Sequence, residues 1–370
     1  MNDNRLVLLH VSLIAGLSST LTNKLYELFG NQDLAQLYTF LHDDFLKAGF
    51  TMSQAQRLVQ GLADKAILER ECALLEKHSI QIVTLFDESY PALLRHIHMP
   101  PAVLYAQGTL SCLEQAFAVV GSRAADDYAH EAIKAIVPSL VAHGWTIVSG
   151  GALGADTMAH EAALSSKGIT VAVLGSGLLR PYPTKNKSLF QTIYTEGGAV
   201  VSPFPLLSDP LPGNFPARNR IISGLSRGCL VVQAAEKSGA SITAHCALDQ
   251  GRDVFAVPGL LNNPLSHGCH RLIQQGAKLV TSAQDILVEY GQDEVQEVSE
   301  QLSLVSPELE SPQPLTPEGL LIQSCKKPKA IDELVQLTGK SLHEVQESLF
   351  NLQLEGVITQ DFAGLWVCRG

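Results

Sequence analysis

The chain has 370 residues, 46% apolar and 17% charged, which is ordinary globular composition and enough material for two or three domains. No apolar run approaches the ~20 residues that span a bilayer, the start Met1-Asn2-Asp3-Asn4-Arg5 lacks the basic region of a secretory signal, and the seven cysteines show no CxxC spacing, so membrane insertion, export, a disulfide framework and a zinc site are not expected and the chain reads as cytoplasmic. The net charge of −11 weighs against nucleic acid only until it is resolved along the chain: residues 1–110 carry −3, residues 111–280 carry +2 and residues 281–370 carry −10, which leaves the middle free to present a local basic patch.

Residues 1–78 read as a domain of short helices, with apolar positions at helical spacing in Leu25, Leu28, Phe29 and again in Leu58, Val59, Leu62. Paired short helices joined by glycine turns fit either a DNA module of the helix-hairpin-helix or SAM-like kind or a small packing domain. From residue 79 to 290 the pattern is that of a Rossmann-like α/β domain. Two short β-rich runs lie between Ile80 and Thr109, around Tyr90-Pro91 and Pro100-Pro101. Strands are then expected at Phe117–Val120, Thr146–Ser149, Val171–Leu174, Leu230–Val232 and Val254–Val257. Helices are expected over 126–143, 155–166, 185–196, 219–226 and 240–250. Apolar β-branched strands alternating with helices predict a doubly wound, mostly parallel sheet covered on both faces.

Residues 281–325 hold nine acids and no Lys or Arg, with Pro307, Pro312, Pro314 and Pro317 among them. The stretch 291–317 is therefore expected to be an acidic linker. Residues 318–370 read as helix, helix, helix and hairpin, the order of a winged-helix domain. Its third helix, Ser341 to Glu355, carries Glu344, Glu347 and Glu355 and no Lys or Arg. A polyanion repels such a surface, so a protein contact is expected of this domain rather than base reading.

Ligands of an open parallel sheet bind beyond the carboxyl ends of its strands. Three glycine-bearing turns are expected there. Gly121-Ser122-Arg123 offers close backbone approach, a hydroxyl and a guanidinium fork. The turn from Ser149 to Asp156, with Gly150, Gly151, Ala152 and Gly154, offers successive N–H groups leading into a helix N-terminus. Lys237-Ser238-Gly239 precedes the helix over 240–250. One such turn is common for steric reasons alone, whereas three along one crest suit a polyphosphate chain. Phe215-Pro216-Ala217-Arg218-Asn219-Arg220 adds a ring and two guanidinium groups, the combination with which single-strand binders stack bases and meet phosphates. Here Pro216 is expected to keep Phe215 extended, and Asn219 to cap the helix that follows. Arg218 and Arg220 cannot share a helix face, so one is expected to be structural and the other to face the ligand. Lys185 and Lys187 either extend the patch or are solvated helix charges. Asp156 and His160, at i,i+4 spacing, form either a catalytic pair or a cap with a core histidine. The run His267-Gly268-Cys269-His270 lacks partners for a four-ligand metal set. No metal or cofactor is expected.

The segments "AVVGSR", "IVSGGALGADTMAHEAAL", "TVAVLGSGLLRPYPTKN", "FPARNRIISGLS", "KSGASITAHCAL" and "VFAVPG", in this order, resemble the DNA-processing protein A (DprA, also called Smf) family, as does "FDESYPALLRHIHMPPAVLYAQGTL" before them. The resemblance implies an N-terminal helical domain, an extended Rossmann core and a C-terminal winged helix. It also implies single-stranded DNA binding, homodimerisation through the core, and transfer of the strand to the recombinase RecA in natural transformation, without catalysis. By motif position it assigns DNA contact to Gly121, Ser122, Arg123, the 149–156 turn, Phe215, Arg218 or Arg220, and Lys237 to Gly239. The chain departs from the family pattern at Ser202-Pro203, Val232-Gln233 and Gly268-Cys269-His270, where two usual acids are missing; ion pairs inherited by Arg218 and Arg220 are thereby in doubt. The competing reading is a nucleotide phosphoribohydrolase of the lysine-decarboxylase-like (LOG) group, which shares the architecture. Its catalytic Glu has no counterpart in Ser238–Ala244.

Overall fold

The computed structural model describes residues 3–292 except 18, 31 and 112, and toward the C-terminus residues 321, 324–325, 329–354, 357–360 and 365–368. Two compact units divide the chain, residues 1–298 and 299–370.

Short apolar runs bounded by Gly, Pro and polar turns become nine strands of one sheet. They are β1 (Gln81–Thr84), β2 (Val103–Gly108), β3 (Ala116–Val120), β4 (Thr146–Ser149), β5 (Thr170–Val173), β6 (Ala199–Ser202), β7 (Gly228–Val231), β8 (Asp253–Ala256) and β9 (Lys278–Leu279). Their spatial order is β1-β2-β6-β5-β4-β3-β7-β8-β9. All neighbours from β6 to β9 pair in parallel, while β1 and β2 add an antiparallel edge. Strands β3 to β7 are buried throughout, as a parallel sheet flanked by helices requires. Two strands lie outside the sequence expectation: β6, four residues between Gly197-Gly198 and Pro203, and β9, two residues long. At two residues β9 is too short for a period to register.

Topology places the crevice. From β3 the chain winds through β4 and β5 to β6 on one side, then returns to β7 on the other side of β3 and continues to β8 and β9. The connections after β3 and β7 therefore leave in opposite directions, and their carboxyl ends open a gap at this switch point.

One face of the sheet is covered by the helices Asp127–Ala142 and Ala155–Ser165, around Phe117, Ile133, Trp145, Phe255 and Ile286. A second cluster runs from Val7, Leu8 and Leu25 of the N-terminal helices through Leu104 and Tyr105 of β2 to Ile221 and Cys269. The N-terminal helices share this core with the sheet, and ties such as the Arg5–Asp87 ion pair (3.2 Å) and the Tyr26 hydroxyl donating to the Leu85 carbonyl (3.2 Å) run along it.

In the second unit, helices Ile331–Thr338 and Leu342–Leu354 and the antiparallel strands Ile358–Gln360 and Trp366–Cys368 enclose a small core of Leu321, Cys325, Leu334, Val345, Leu349, Leu352 and Ile358. Of the expected linker, positions 293–317 lie outside the described residues. Among the described residues no helix is long and apolar enough to cross a membrane.

Candidate functional site

A cleft of about 660 Å³ opens at the switch point. Its walls come from all three glycine-bearing turns: Gly121, Ser122 and Arg123 after β3, Ala152 after β4, and Ser238 and Gly239 after β7. Phe215, Arg218 and Asn219 line it from the helix Asn214–Gly224. A smaller recess of about 90 Å³ lies among Arg123, Gly150, Ala152, Tyr182, Phe215 and Arg218.

The first two turns interlock through glycine. Gly154 has φ +79°, and a Cβ there would stand 2.4 Å from the Ser122 carbonyl oxygen and 2.6 Å from that of Arg123. The Ala155 amide donates to the Ser122 carbonyl at 3.1 Å. Ser122 Oγ accepts from the Ala124 amide (3.1 Å), closing a local turn that leaves Arg123 exposed at the rim. At the third turn Ser238 caps the helix Gly239–Asp249, its Oγ accepting from the Ser241 amide at 3.3 Å. The positive end of that helix faces the cleft, a favourable place for an anion.

The helix carrying Phe215 begins at Asn214, five residues before the expected start. Phe215 is therefore helical rather than extended. Pro216 sits in the first turn, where its missing N–H costs nothing. Asn219 is likewise not a cap: it lies inside the helix, and its Nδ2 donates to the Gly239 carbonyl (3.1 Å), tying the helix to the third turn. The Phe215 ring is half-buried, edge-on to Tyr182 at 5.7 Å, with the Arg123 guanidinium 5.3 Å from its centroid. Tyr182, 45% exposed on the cleft wall, is a residue that sequence reasoning passed over. The signal was an aromatic between two prolines in the turn after β5.

Arg218 and Arg220 point apart. Arg218 is 3% exposed at the cleft floor, and its guanidinium donates to the carbonyls of Gly150 (2.5 Å) and Val173. Burial lowers its pKa to about 10, against the opposing charge of Asp156. Arg220 leaves the cleft altogether and donates to the Met99 carbonyl at 2.5 Å. Both guanidinium groups are thus held by backbone carbonyls, Arg220 away from the cleft and Arg218 in its floor.

The second turn differs from its expected form. Ser149 is fully buried and its hydroxyl donates to the Val119 carbonyl (2.7 Å), so it offers nothing to a ligand. The Ala152 amide donates to Asp156 Oδ2 at 3.2 Å, so the chain's own carboxylate already takes part of this anion-binding backbone. Gly151 and Gly154 shape the turn without lining the cleft. Lys185 and Lys237 are exposed but outside the cleft lining.

Asp156 and His160 are not a catalytic pair. His160 is fully buried with Nδ1 bonded to Thr170 Oγ1 at 2.7 Å. Thr170 Oγ1 gives its own proton to the Ile147 carbonyl (2.7 Å), so Nδ1 carries the imidazole proton. Burial, and then Arg218, push the His160 pKa down to about 3. Burial raises the pKa of Asp156, opposed by Arg218. The usual acids are replaced by Pro203, next to Ser202, and by Gln233. Gln233 Nε2 donates to Asp126 Oδ1 (2.7 Å), and Gln233 Oε1 accepts from the Asp126 amide (3.3 Å). Ser202 Oγ donates to the Ser176 carbonyl (2.8 Å) and accepts from the Phe204 amide (3.1 Å). The Gln233 side chain thus bonds to Asp126 and to neither Arg218 nor Arg220. In the run 267–270, Cys269 is buried with Sγ on the Val231 carbonyl (3.6 Å), and His270 Nε2 lies 2.9 Å from the Gly259 carbonyl.

Residues 81–291 match the family described as DNA recombination-mediator protein A. Protein Smf of Escherichia coli (strain K12) is 40% identical over 315 residues, covering 84% of this chain and 83% of its own length. The X-ray structure of DNA processing protein A (DprA) from Streptococcus pneumoniae superposes with a TM-score of 0.68 at 37% identity, covering 78% of this chain and 98% of that one. The structure of DNA processing protein A from Helicobacter pylori, a protein described as having a unique single-stranded DNA binding mode, superposes with a TM-score of 0.52 at 30% identity, covering 57% of this chain and 96% of that one.

Proposed function

Because this chain belongs to the DNA recombination-mediator protein A family, we propose that it is a DNA-processing protein of transformation that holds single-stranded DNA in the cleft at the switch point. The observation that carries this reading is the convergence of three glycine turns, an exposed guanidinium, a helix N-terminus and a Phe–Tyr pair on one open groove. Such a surface gives phosphates backbone and guanidinium donors and gives splayed bases an aromatic edge, which duplex DNA, with its bases stacked inside, cannot use. Gly121, Ser122, Arg123, Ala152, Phe215, Arg218, Asn219, Ser238 and Gly239 line the groove. Lys185 and Lys237 would act as longer-range cations.

In this reading the protein protects the incoming strand and loads RecA onto it, as a homodimer formed through the sheet domain, in the cytoplasm and without catalysis. Support for binding rather than nucleotide hydrolysis comes from the carboxylate nearest the groove. Among the described lining residues this is Asp156, which is buried and engaged by the Ala152 amide. The second unit is read as a winged helix that contacts protein. Its helix Leu342–Leu354 presents Glu344 and Glu347 and no Lys or Arg.

The test is a binding titration with oligo(dT) at several salt concentrations, beside assays for nucleoside-monophosphate hydrolysis and for RecA filament formation on the bound strand. Binding that weakens with salt at a log–log slope of about −0.7 per phosphate neutralised supports the reading. Nucleotide hydrolysis without strand binding contradicts it.

A further inference from the structure

One contact between the N-terminal helices and the sheet reaches the cleft. Glu71, on the helix Lys65–Lys77, is 7% exposed, and its Oε1 accepts a hydrogen bond from the Leu206 backbone amide at 2.8 Å, across 135 positions of sequence. Leu206 is fully buried and lies near the start of the segment Pro203–Gly213, which runs from β6 to the helix carrying Phe215. Pro210 and Pro212 of that segment line the cleft. Further ties run to the turn that bears Tyr182. The Leu179 amide donates to the Leu206 carbonyl (3.0 Å), the Gly177 amide to the Ser208 carbonyl (2.9 Å), and Arg180 pairs with Asp209 at 2.5 Å. Glu71 therefore anchors the inner end of a unit whose outer end holds both aromatic residues of the groove.

We propose that Glu71 is a positioning residue for the groove: by accepting the Leu206 amide it fixes the 203–213 segment and, through it, Phe215 and Tyr182. The inference rests on the single-strand reading of the cleft. A carboxylate suits the task because a charged acceptor makes a stronger bond to a backbone N–H than a neutral one does, and a buried amide left without a partner is unfavourable. Burial, and then the adjacent Glu71 charge, push the Tyr105 phenol well above its ordinary range, so the neighbouring hydroxyl stays protonated beside the carboxylate. The N-terminal helices in this way take part in shaping the groove, although none of their described residues lines it.

The experiment compares the full chain with Glu71→Gln, which keeps a neutral acceptor, and Glu71→Leu, which keeps only the bulk. Hydrogen exchange at residues 206–214 should quicken in the order wild type, Gln, Leu, with strand Ala116–Val120 unchanged. Affinity for oligo(dT) should fall in the same order, by roughly 3- to 10-fold for Glu71→Leu, within the span of remote coupling energies. In a Phe215→Ala background the Glu71→Leu loss should shrink, the part that acts through Tyr182 remaining, which general destabilisation would not produce. Exchange at 206–214 that is no faster in Glu71→Gln than in wild type overturns the proposal even if Glu71→Leu does not fold, and so does full additivity with Phe215→Ala. A wild-type chain that does not bind oligo(dT) removes the single-strand reading, while the exchange series still decides whether Glu71 holds the segment.

Discussion

The cleft and the C-terminal unit of this chain handle charge in opposite ways. At the cleft, cations are few but placed: Arg123 stands exposed at the rim over the Phe215 ring, Arg218 is sunk in the floor, and a helix N-terminus faces the same space. In the C-terminal unit the long helix Leu342–Leu354 carries Glu344 and Glu347 without a basic residue, and further upstream residues 281–325 hold nine acids and no Lys or Arg. A total charge of −11 conceals this division. What matters to a phosphate chain is the local field and the available donors.

The comparison can be broken first at Arg218. If it is the structural cation of the cleft floor, Arg218→Ala leaves Asp156 buried without its countercharge and strips two carbonyls of their donor. Removing one member of a buried charged pair typically costs about 3–5 kcal/mol, and thermal unfolding should show a loss of that size. A folded variant of normal stability would mean that Arg218 is held less firmly than its burial implies.

Arg123 should behave differently. Being exposed, Arg123→Ala should leave stability unchanged within about 0.5 kcal/mol. Loss of its charged hydrogen bonds should weaken oligo(dT) binding by about 1.5–3 kcal/mol, with the salt slope reduced by about 0.7. Normal affinity in the folded variant would remove Arg123 from the site. Next in size, Phe215→Ala should lose about 1–3 kcal/mol of binding with the salt slope retained, as a stacking ring requires. A fall in thermal midpoint with unchanged affinity would instead assign the ring to the core.

The smallest effect is expected from the other side of the comparison. Truncation after Tyr290 removes most of the acidity and should leave single-strand affinity within a few-fold of the full chain, or raise it through weaker repulsion. A large loss in the folded, truncated protein would show that the C-terminal unit contributes directly to DNA binding.

How legible this arrangement was depends on the kind of interaction. The parallel sheet was readable because a strand such as Ala116–Val120 is a continuous apolar run, and because such runs alternate with helical stretches. The glycine turns were readable because a parallel sheet gathers loops at its carboxyl edge. The start of the Phe215 helix was not, because Pro216 in a first turn looks the same in sequence as Pro216 in an extended segment. The fates of Ser149 and Arg220 were hidden for a different reason. Val119 and Met99, whose carbonyls they bond, lie 30 and 121 positions away, and backbone acceptors leave no mark in sequence. Tyr182 was visible as a residue but not as a neighbour of Phe215, since only the fold brings the turn after β5 to that helix.

The most direct test is the affinity of the full chain for oligo(dT) and for a duplex of equal length at the same salt concentration. The account predicts that the single strand wins clearly, because only unstacked bases reach Phe215 and Tyr182 while the phosphates meet Arg123 and the glycine turns. Equal affinity for the two would mean that the groove reads charge alone, and would contradict it.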